Sequence, residues 1–316
     1  MKKIWLIGLL SLLFILSACG GGDTENDNTG DGTEEDTQTE ETSSDSETRM
    51  YESENGEIEV PAEPERVVVL SSFAGNVLAL DTNIVGVDAW SKGNPLFEED
   101  LADAEELSDE SLEKIIELEP DLIIGLGSTK NIEKLNEIAP TVTYTYGKLG
   151  YLEQHVEIGK LLNKEEEAQQ WVDEFKEKAG KAGTEIKDEI GEDATVTVFE
   201  EFDKQLYVFG DNWARGTEIL YQEMELKMPE KVKEMALEDG FYAISPEVLS
   251  DYAGDYMIFS KSDGADSSYQ ETETYKNIPA VENDQVFEAD AEAFYFNDPI
   301  SLEHQLSFFK EKFLTE

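Results

Sequence analysis

Between Leu152 and Ile190 the chain reads LEQHVEIGKLLNKEEEAQQWVDEFKEKAGKAGTEIKDEI, and nothing in it has the period of a strand. Leu161, Leu162, Ala168, Trp171, Val172 and Phe175 recur at helical spacing among Glu and Lys, the pattern of an amphipathic helix with one apolar stripe. One long helix is expected, with Gly180 and Gly183 as the place where it breaks. Upstream the rhythm is different. Val67-Val68-Val69-Leu70 and Ile84–Val87 are short apolar runs, and Asn76–Leu80 between them has helical spacing. Leu112–Leu118 is helical and leads into Pro120-Asp121-Leu122-Ile123-Ile124-Gly125; Asn131–Ile138 is helical and Pro140–Tyr144 extended. Downstream the alternation resumes at Thr195-Val196-Thr197-Val198-Phe199. Short apolar strands alternating with helices specify an α/β sheet with mostly parallel strands. The long segment therefore divides two α/β lobes and leaves a cleft between them, where ligand sites are favoured.

The two lobes echo each other. Glu113 stands eight residues before Asp121 in Glu-x7-Asp-Leu-Ile-Ile, and Glu247 stands eight before Asp255 in Glu-x7-Asp-Tyr-Met-Ile. In each half a proline and a further strand follow, Pro140 with Val142 and Pro279 with Val286. The expected organisation is a signal peptide over 1–18, an acidic tether over 19–50, an N-terminal α/β lobe over 51–150, a connecting helix over 151–192 and a C-terminal α/β lobe over 193–316.

The first residues carry an address. Met1-Lys2-Lys3 is a basic start, Ile4–Leu16 an apolar run and Ser17-Ala18-Cys19 a small-residue cut site, which together describe a signal peptide. The apolar run is shorter than the about 20 residues that span a bilayer. Cys19 is the one cysteine in 316 residues, which favours a lipidation site over an ordinary secretory signal. Two acyl chains, at about 0.8 kcal/mol per buried CH2, make a stable anchor. A cysteine-free body has no disulfide, thiolate metal site or cysteine nucleophile. From Gly20 to about Met50 the chain is Gly, Asp, Glu, Thr, Ser and Asn, too polar to offset the entropy of ordering. Its Asp27-Asn28-Thr29-Gly30-Asp31-Gly32 resembles the opening of a calcium loop, but the twelfth position is Gln38, not Glu, so it is read as linker.

The chain has 24 basic and 73 acidic residues, 24 − 73 = −49, which argues against nucleic acid as a partner. The acids are spread evenly, as in adaptation to high salt or to an alkaline niche. There are two histidines, His155 and His304, and no His/Asp/Glu set has the spacing of a transition-metal site. No G-x-S-x-G, phosphate-loop or G-x-G-x-x-G motif is present, so nothing nominates an enzyme. The informative stretch is Tyr207-Val208-Phe209-Gly210-Asp211-Asn212-Trp213-Ala214-Arg215-Gly216-Thr217-Glu218. Two aromatics, a glycine turn and Trp-x-Arg make flat apolar walls with one cation. Arg215 is one of three arginines, with Arg49 and Arg66, and its guanidinium offers a planar fork to oxygen ligands. Equally open is a turn with a buried Trp and an Arg paired to Glu218. In Phe294-Tyr295-Phe296-Asn297-Asp298-Pro299, Asn297 or Asp298 reads as the cap of a last helix, and alternation sets Tyr295 opposite its neighbours. Tyr144 and Tyr146 end a strand where the cleft opens; Trp90 either lines the cleft or packs.

From about residue 58 to the end the sequence resembles the ferric-hydroxamate-binding lipoproteins of Gram-positive bacteria, in the siderophore-binding class of ABC-importer receptors. The stretches that carry the resemblance are Ala139-Pro140-Thr141-Val142, Tyr151-Leu152-Glu153-Gln154, Tyr207–Gly216, Tyr252-Ala253-Gly254-Asp255-Tyr256 and Phe294–Pro299. It implies two Rossmann-like lobes joined by a long helix, the class III substrate-binding protein fold, with a shallow and rather rigid cleft. It implies that Trp213, Arg215, Tyr207, Tyr146 and Tyr295 meet the ligand, with Tyr295 standing where relatives can have Trp. Trp90 joins them from its position. It also implies that Glu113 and Glu247 dock on arginines of a permease. The expected function is capture of ferric hydroxamate siderophores for import, by a monomeric receptor held by Cys19 on the outer face of a Gram-positive cell membrane. No cofactor is expected, since iron arrives inside its chelator and needs no protein ligand. A ferric tris-catecholate carries about three negative charges and would want several cations, so a neutral or singly cationic hydroxamate fits one arginine better. Receptors of the same fold for a catecholate, haem or cobalamin are the alternative; haem would want axial His or Met ligands.

Overall fold

The computed structural model describes residues 47–262 and 264–314. The signal segment, Cys19 and the tether up to residue 46 lie outside the described residues, and no described helix is long and apolar enough to cross a membrane. The chain opens with a hairpin, β1 (Thr48–Ser53) and β2 (Gly56–Pro61). Then follow β3 (Val67–Val69), α1 (Ala74–Leu78), β4 (Ile84–Asp88), α2 (Ala89–Lys92), β5 (Glu105–Leu107), α3 (Leu112–Glu117), β6 (Leu122–Leu126), α4 (Ile132–Asn136) and β7 (Thr141–Tyr144). Two helices, α5 (Tyr151–Leu161) and α6 (Glu165–Ile190), lead to β8 (Val196–Phe202), β9 (Gln205–Phe209), α7 (Glu230–Ala236), β10 (Phe241–Ile244) and β11 (Tyr256–Lys261). The last elements are α8 (Glu273–Lys276), α9 (Pro279–Glu282), β12 (Val286–Asp290), α10 (Ala291–Phe294) and α11 (Pro299–Phe313).

The first sheet runs β5-β4-β3-β6-β7 and is parallel throughout. That is the doubly wound order, in which the chain reverses direction across the sheet between β3 and β6 and leaves a crevice at the strand ends. The second sheet runs β10-β9-β8-β11-β12. It is mixed rather than mostly parallel: β8 and β9 form an antiparallel hairpin, and β9 pairs antiparallel with β10. The hairpin turns on Asp203 (φ 48°) and Lys204 (φ 64°), two left-handed residues as a two-residue turn demands. Neither is glycine, so the turn carried no composition signal.

The Glu-x7-Asp echo is structural. Asp121, just before β6, accepts from the backbone N–H groups of Glu65 and Arg66, just before β3. Asp255, just before β11, accepts from the backbone N–H and hydroxyl of Thr195, just before β8. Each aspartate ties the first strand of its lobe to the strand across the crevice. Glu113 and Glu247 are exposed in the first turns of α3 and of a 3-10 turn over Pro246–Asp251.

The connecting segment breaks at 162–164, not at its late glycines. Gly159 lets α5 and α6 meet there, because a Cβ would sit 2.6 Å from that of Ala168. α6 then runs unbroken through Gly180 and Gly183. Gly183 is there for contact: a Cβ would stand 2.4 Å from the carbonyl oxygen of Met224. Ala168 packs in the core of the first lobe, whereas Val172, Phe175, Ala179, Ala182 and Ile186 pack in that of the second, so one helix belongs to both. The entry to the last helix also locks the lobes: Phe296, ahead of α11, and Ile300, in its first turn, pack in the first lobe's core, and Gly75 lies against the carboxylate of the cap residue Asp298. The tether ends earlier than residue 50, since Thr48–Met50 are already in β1. Arg49 donates to the carbonyls of Lys160 and Leu161 at the end of α5, where a cation suits the helix dipole, and Tyr51 is buried beneath it.

Candidate functional site

β8 and β11 are the central strands of the second lobe, and Glu200 near the end of β8 has no exposed surface. A carboxylate there needs a cation and donors. It receives Arg215 through two bonds, Nη2 to Oε1 at 2.8 Å and Nε to Oε2 at 3.1 Å, and the hydroxyl of Ser260 on β11. Glu218, the partner considered from sequence, is not the one Arg215 takes. Arg215 reaches Glu200 because Ala214, Arg215 and Gly216 are all left-handed, at φ 56°, 60° and 78°. For residues other than glycine this costs roughly 1–3 kcal/mol each. The turn is held by Arg215 N–H to the Phe294 carbonyl at 2.8 Å, Ala214 N–H to Glu218 Oε1 at 2.9 Å and Thr217 Oγ1 to the Ala214 carbonyl at 2.7 Å. Only glycine fits at 216, where a Cβ would meet the Phe309 ring at 2.4 Å.

Aromatic rings meet around this turn from both lobes. Arg215 Cζ lies 4.8 Å from the Tyr295 ring and 5.0 Å from that of Phe209, and its Nη1 donates to the Trp213 carbonyl at 3.3 Å. Trp213 meets Tyr146 of the first lobe edge-on at 5.6 Å and Phe241 at 5.1 Å, and Phe241 meets Tyr207 at 5.8 Å. On the other side Tyr295 meets Trp90 of the first lobe at 5.1 Å, and Trp90 stacks on Phe202 at 6.2 Å. The Tyr295 hydroxyl pairs with Ser262 Oγ at 3.0 Å, and burial pushes its phenol pKa up. Asp298 caps α11 by accepting from Ile300 and Ser301, and Phe294 and Phe296 are buried while Tyr295 is half-exposed.

All six aromatic and cationic residues chosen from sequence thus join one network across the cleft: Tyr146 and Trp90 from the first lobe, Tyr207, Trp213, Arg215 and Tyr295 from the second. Trp90 is 56% exposed, Tyr146 53% and Phe202 41%. Such large apolar surface in one cleft marks a binding site better than scattered residues do. Sequence reading missed Phe202, Phe241 and Glu200. Phe202 sits at the tip of the unrecognised hairpin, which carries it to Trp90. Glu200 follows directly on the buried run Val196–Phe199, with Glu201 after it, and among so many carboxylates nothing in the sequence singles it out.

Two hollows open beside the network. Trp90, Tyr295, Ala89, Gly93 and Glu292 line one of about 370 Å3. The other, about 330 Å3, is polar: Tyr146, Tyr151, Gln154, Glu218, Gln222 and Asn297 are among its walls. Burial raises the pKa of the Glu218 carboxyl, and hydrogen bonds donated by Ala214 and Asn297 work against that. His155 is outside the cleft wall; its ring lies 5.2 Å from Trp171 and its Nδ1 3.1 Å from Asn76 Oδ1, and burial pulls its pKa down to about 4. Among the described residues no group of three or more His, Cys, Asp or Glu is placed to hold a metal ion.

A family model described as periplasmic binding protein matches residues 67–293, from the first strand of the doubly wound sheet to α10. The chain belongs to the periplasmic binding protein family. Relatives of this periplasmic binding protein include the iron(3+)-hydroxamate-binding protein FhuD of Bacillus subtilis, 37% identical over 310 residues that cover 96% of this chain and 94% of that one. The iron(3+)-hydroxamate-binding protein YxeB of the same organism is 33% identical over 96% of this chain and 94% of its own length. Among solved structures, FhuD2 of Staphylococcus aureus with bound ferrioxamine B superposes with a TM-score of 0.75 at 36% identity, covering 79% of this chain and 98% of that one.

Proposed function

We propose that this periplasmic binding protein is the receptor of an ABC importer, that it takes ferric hydroxamate siderophores into the cleft between its lobes, and that it passes them to the permease. The observation that carries the reading is the chemistry of the cleft: exposed aromatic faces from both lobes surround an arginine whose charge is matched by Glu200. The match to hydroxamate-binding relatives along almost the whole chain points the same way. Flat rings suit the apolar flanks of a folded chelate, and a matched Arg–Glu pair suits a ligand of little net charge. An anionic catecholate would meet Glu200 and Glu218 with no surplus cation to offset them. The iron is cargo, held by the siderophore's own oxygens, so the protein needs no cofactor and performs no catalysis on it. Tyr146, Tyr207, Trp213, Arg215, Tyr295 and Trp90 are the proposed contacts, and Glu113 and Glu247 the proposed permease contacts. Cys19 would anchor a monomeric receptor to the extracytoplasmic face of the membrane through lipid. Two relatives named as lipoproteins, YfiY and YhfQ of B. subtilis, accord with that anchor.

Tryptophan fluorescence tests the ligand class, because Trp90 and Trp213 stand in the cleft. Ferric hydroxamates are expected to quench it at roughly micromolar concentration or below, a binding free energy near −8 kcal/mol. Quenching by a ferric catecholate, haem or cobalamin with none by hydroxamates would overturn the assignment.

A further inference from the structure

The polar hollow beside Tyr146 has a charge the proposed function does not use. Glu218 is buried in its wall and accepts two hydrogen bonds, from Ala214 N–H at 2.9 Å and Asn297 Nδ2 at 3.0 Å; the Thr217 hydroxyl, which donates to the Ala214 carbonyl, lies 3.2 Å from its other oxygen. Neither bond comes from a cation. The basic groups nearby are engaged elsewhere: Arg215 is bound to Glu200, and Lys148 pairs with Glu54 at 3.3 Å. A second carboxylate, Glu223, accepts from the hydroxyl of the wall residue Tyr151 at 2.8 Å. A buried carboxylate without a cation is costly, and a positive charge brought by a ligand would offset that cost. One wall residue carries an unpaired donor: Gln154 Nε2 is enclosed and has no hydrogen-bond partner. It is a donor awaiting a carbonyl or hydroxyl oxygen.

We infer that this hollow is a subsite for a cationic arm of the ligand, a protonated primary amine on a short chain, with Glu218 receiving the ammonium and Gln154 donating to an amide carbonyl along the arm. The subsite rests on the receptor reading above and sharpens it. The aromatic network would hold the ferric core, and the hollow would select among hydroxamates by what hangs from them. The space, about 330 Å3, admits a short amine-ended arm and not the ammonium alone, and the two donors already on Glu218 hold the carboxylate in place for it.

The test uses two ligands with the same ferric core. Ferrioxamine B ends in a free amine, and its N-acetyl derivative ends in a neutral amide. Titrated into the full chain, the amine form is expected to bind about tenfold tighter or better, the scale of one charge-assisted contact, and that ratio should shrink as salt rises. In Glu218→Gln the ratio is expected to fall within about twofold, since a neutral amide no longer distinguishes the two arms. Equal affinity of the intact chain for both forms would overturn the subsite while leaving the receptor reading in place, and it needs no variant to fold. A ratio that persists in Glu218→Gln would also overturn it. If neither form binds, the receptor reading fails and the subsite with it.

Discussion

Replacing Arg215 with alanine would leave Glu200, with no exposed surface, as an unpaired carboxylate between strands of the second sheet. Removing one partner of a buried pair costs about 3–5 kcal/mol, so Arg215→Ala should unfold at markedly lower denaturant than wild type. The double change Arg215→Ala with Glu200→Gln should recover most of that loss, because no buried charge remains. Equal destabilisation by the single and double changes would refute the pairing. The double variant should still bind ferric hydroxamate poorly, which would separate the proposed contact of the arginine with ligand from its role in the fold. At this scale the sequence was informative where residue types are rare. One arginine in a Trp-x-Arg turn could be singled out; its acidic partner could not, because Glu200 is one of many carboxylates and its position in a strand core is a tertiary fact. Glu218 was the natural guess by proximity in the chain, but the left-handed backbone at Ala214–Gly216 turns the guanidinium away from it.

The connecting helix shows the same division between pattern and packing. Its apolar positions from Ala168 to Phe175 were legible from the 3.6-residue period, and they continue as Ala179, Ala182 and Ile186 into the second lobe's core. The two glycines were misread as a break because a glycine in a helix costs about 1 kcal/mol relative to alanine, and sequence does not show what it gains. The structure separates them. At Gly180 the nearest atom to a built Cβ is 3.9 Å away, whereas at Gly183 the backbone of Met224 lies at 2.4–2.8 Å. Gly180→Ala is therefore expected to stabilise the protein by up to about 1 kcal/mol, and Gly183→Ala to destabilise it by roughly 2 kcal/mol as the helix is pushed from its neighbour. Chemical denaturation of the two variants checks this, and a stabilising Gly183→Ala would contradict the packing. The β8–β9 hairpin was missed for a related reason, since its left-handed turn is built from Asp203 and Lys204 and not from Asn-Gly.

At the scale of the whole molecule, the two-lobed plan was legible because strand–helix alternation stops and restarts around one long amphipathic segment, and because Asp121 and Asp255 repeat a structural tie. Less legible was how firmly the lobes are joined. α6 contributes to both cores, Phe296 inserts into the first lobe, and Gly75 lies against Asp298, so a large hinge motion would have to break packed contacts. Glu113 and Glu247 occupy matching exposed positions of the two lobes, which suits recognition by a permease with two like halves. Changing both to alanine is expected to cut uptake of a ferric hydroxamate by roughly tenfold or more while leaving ligand affinity within about twofold, as for contacts that serve a partner and not the ligand. Unimpaired uptake would remove them from the interface. The central claim is tested most directly by equilibrium dialysis of the full chain against a ferric hydroxamate labelled with radioactive iron, in parallel with a ferric tris-catecholate. One labelled iron retained per chain with the hydroxamate, little with the catecholate, and retention weakened by Arg215→Lys is the predicted result; retention of the catecholate alone would contradict it.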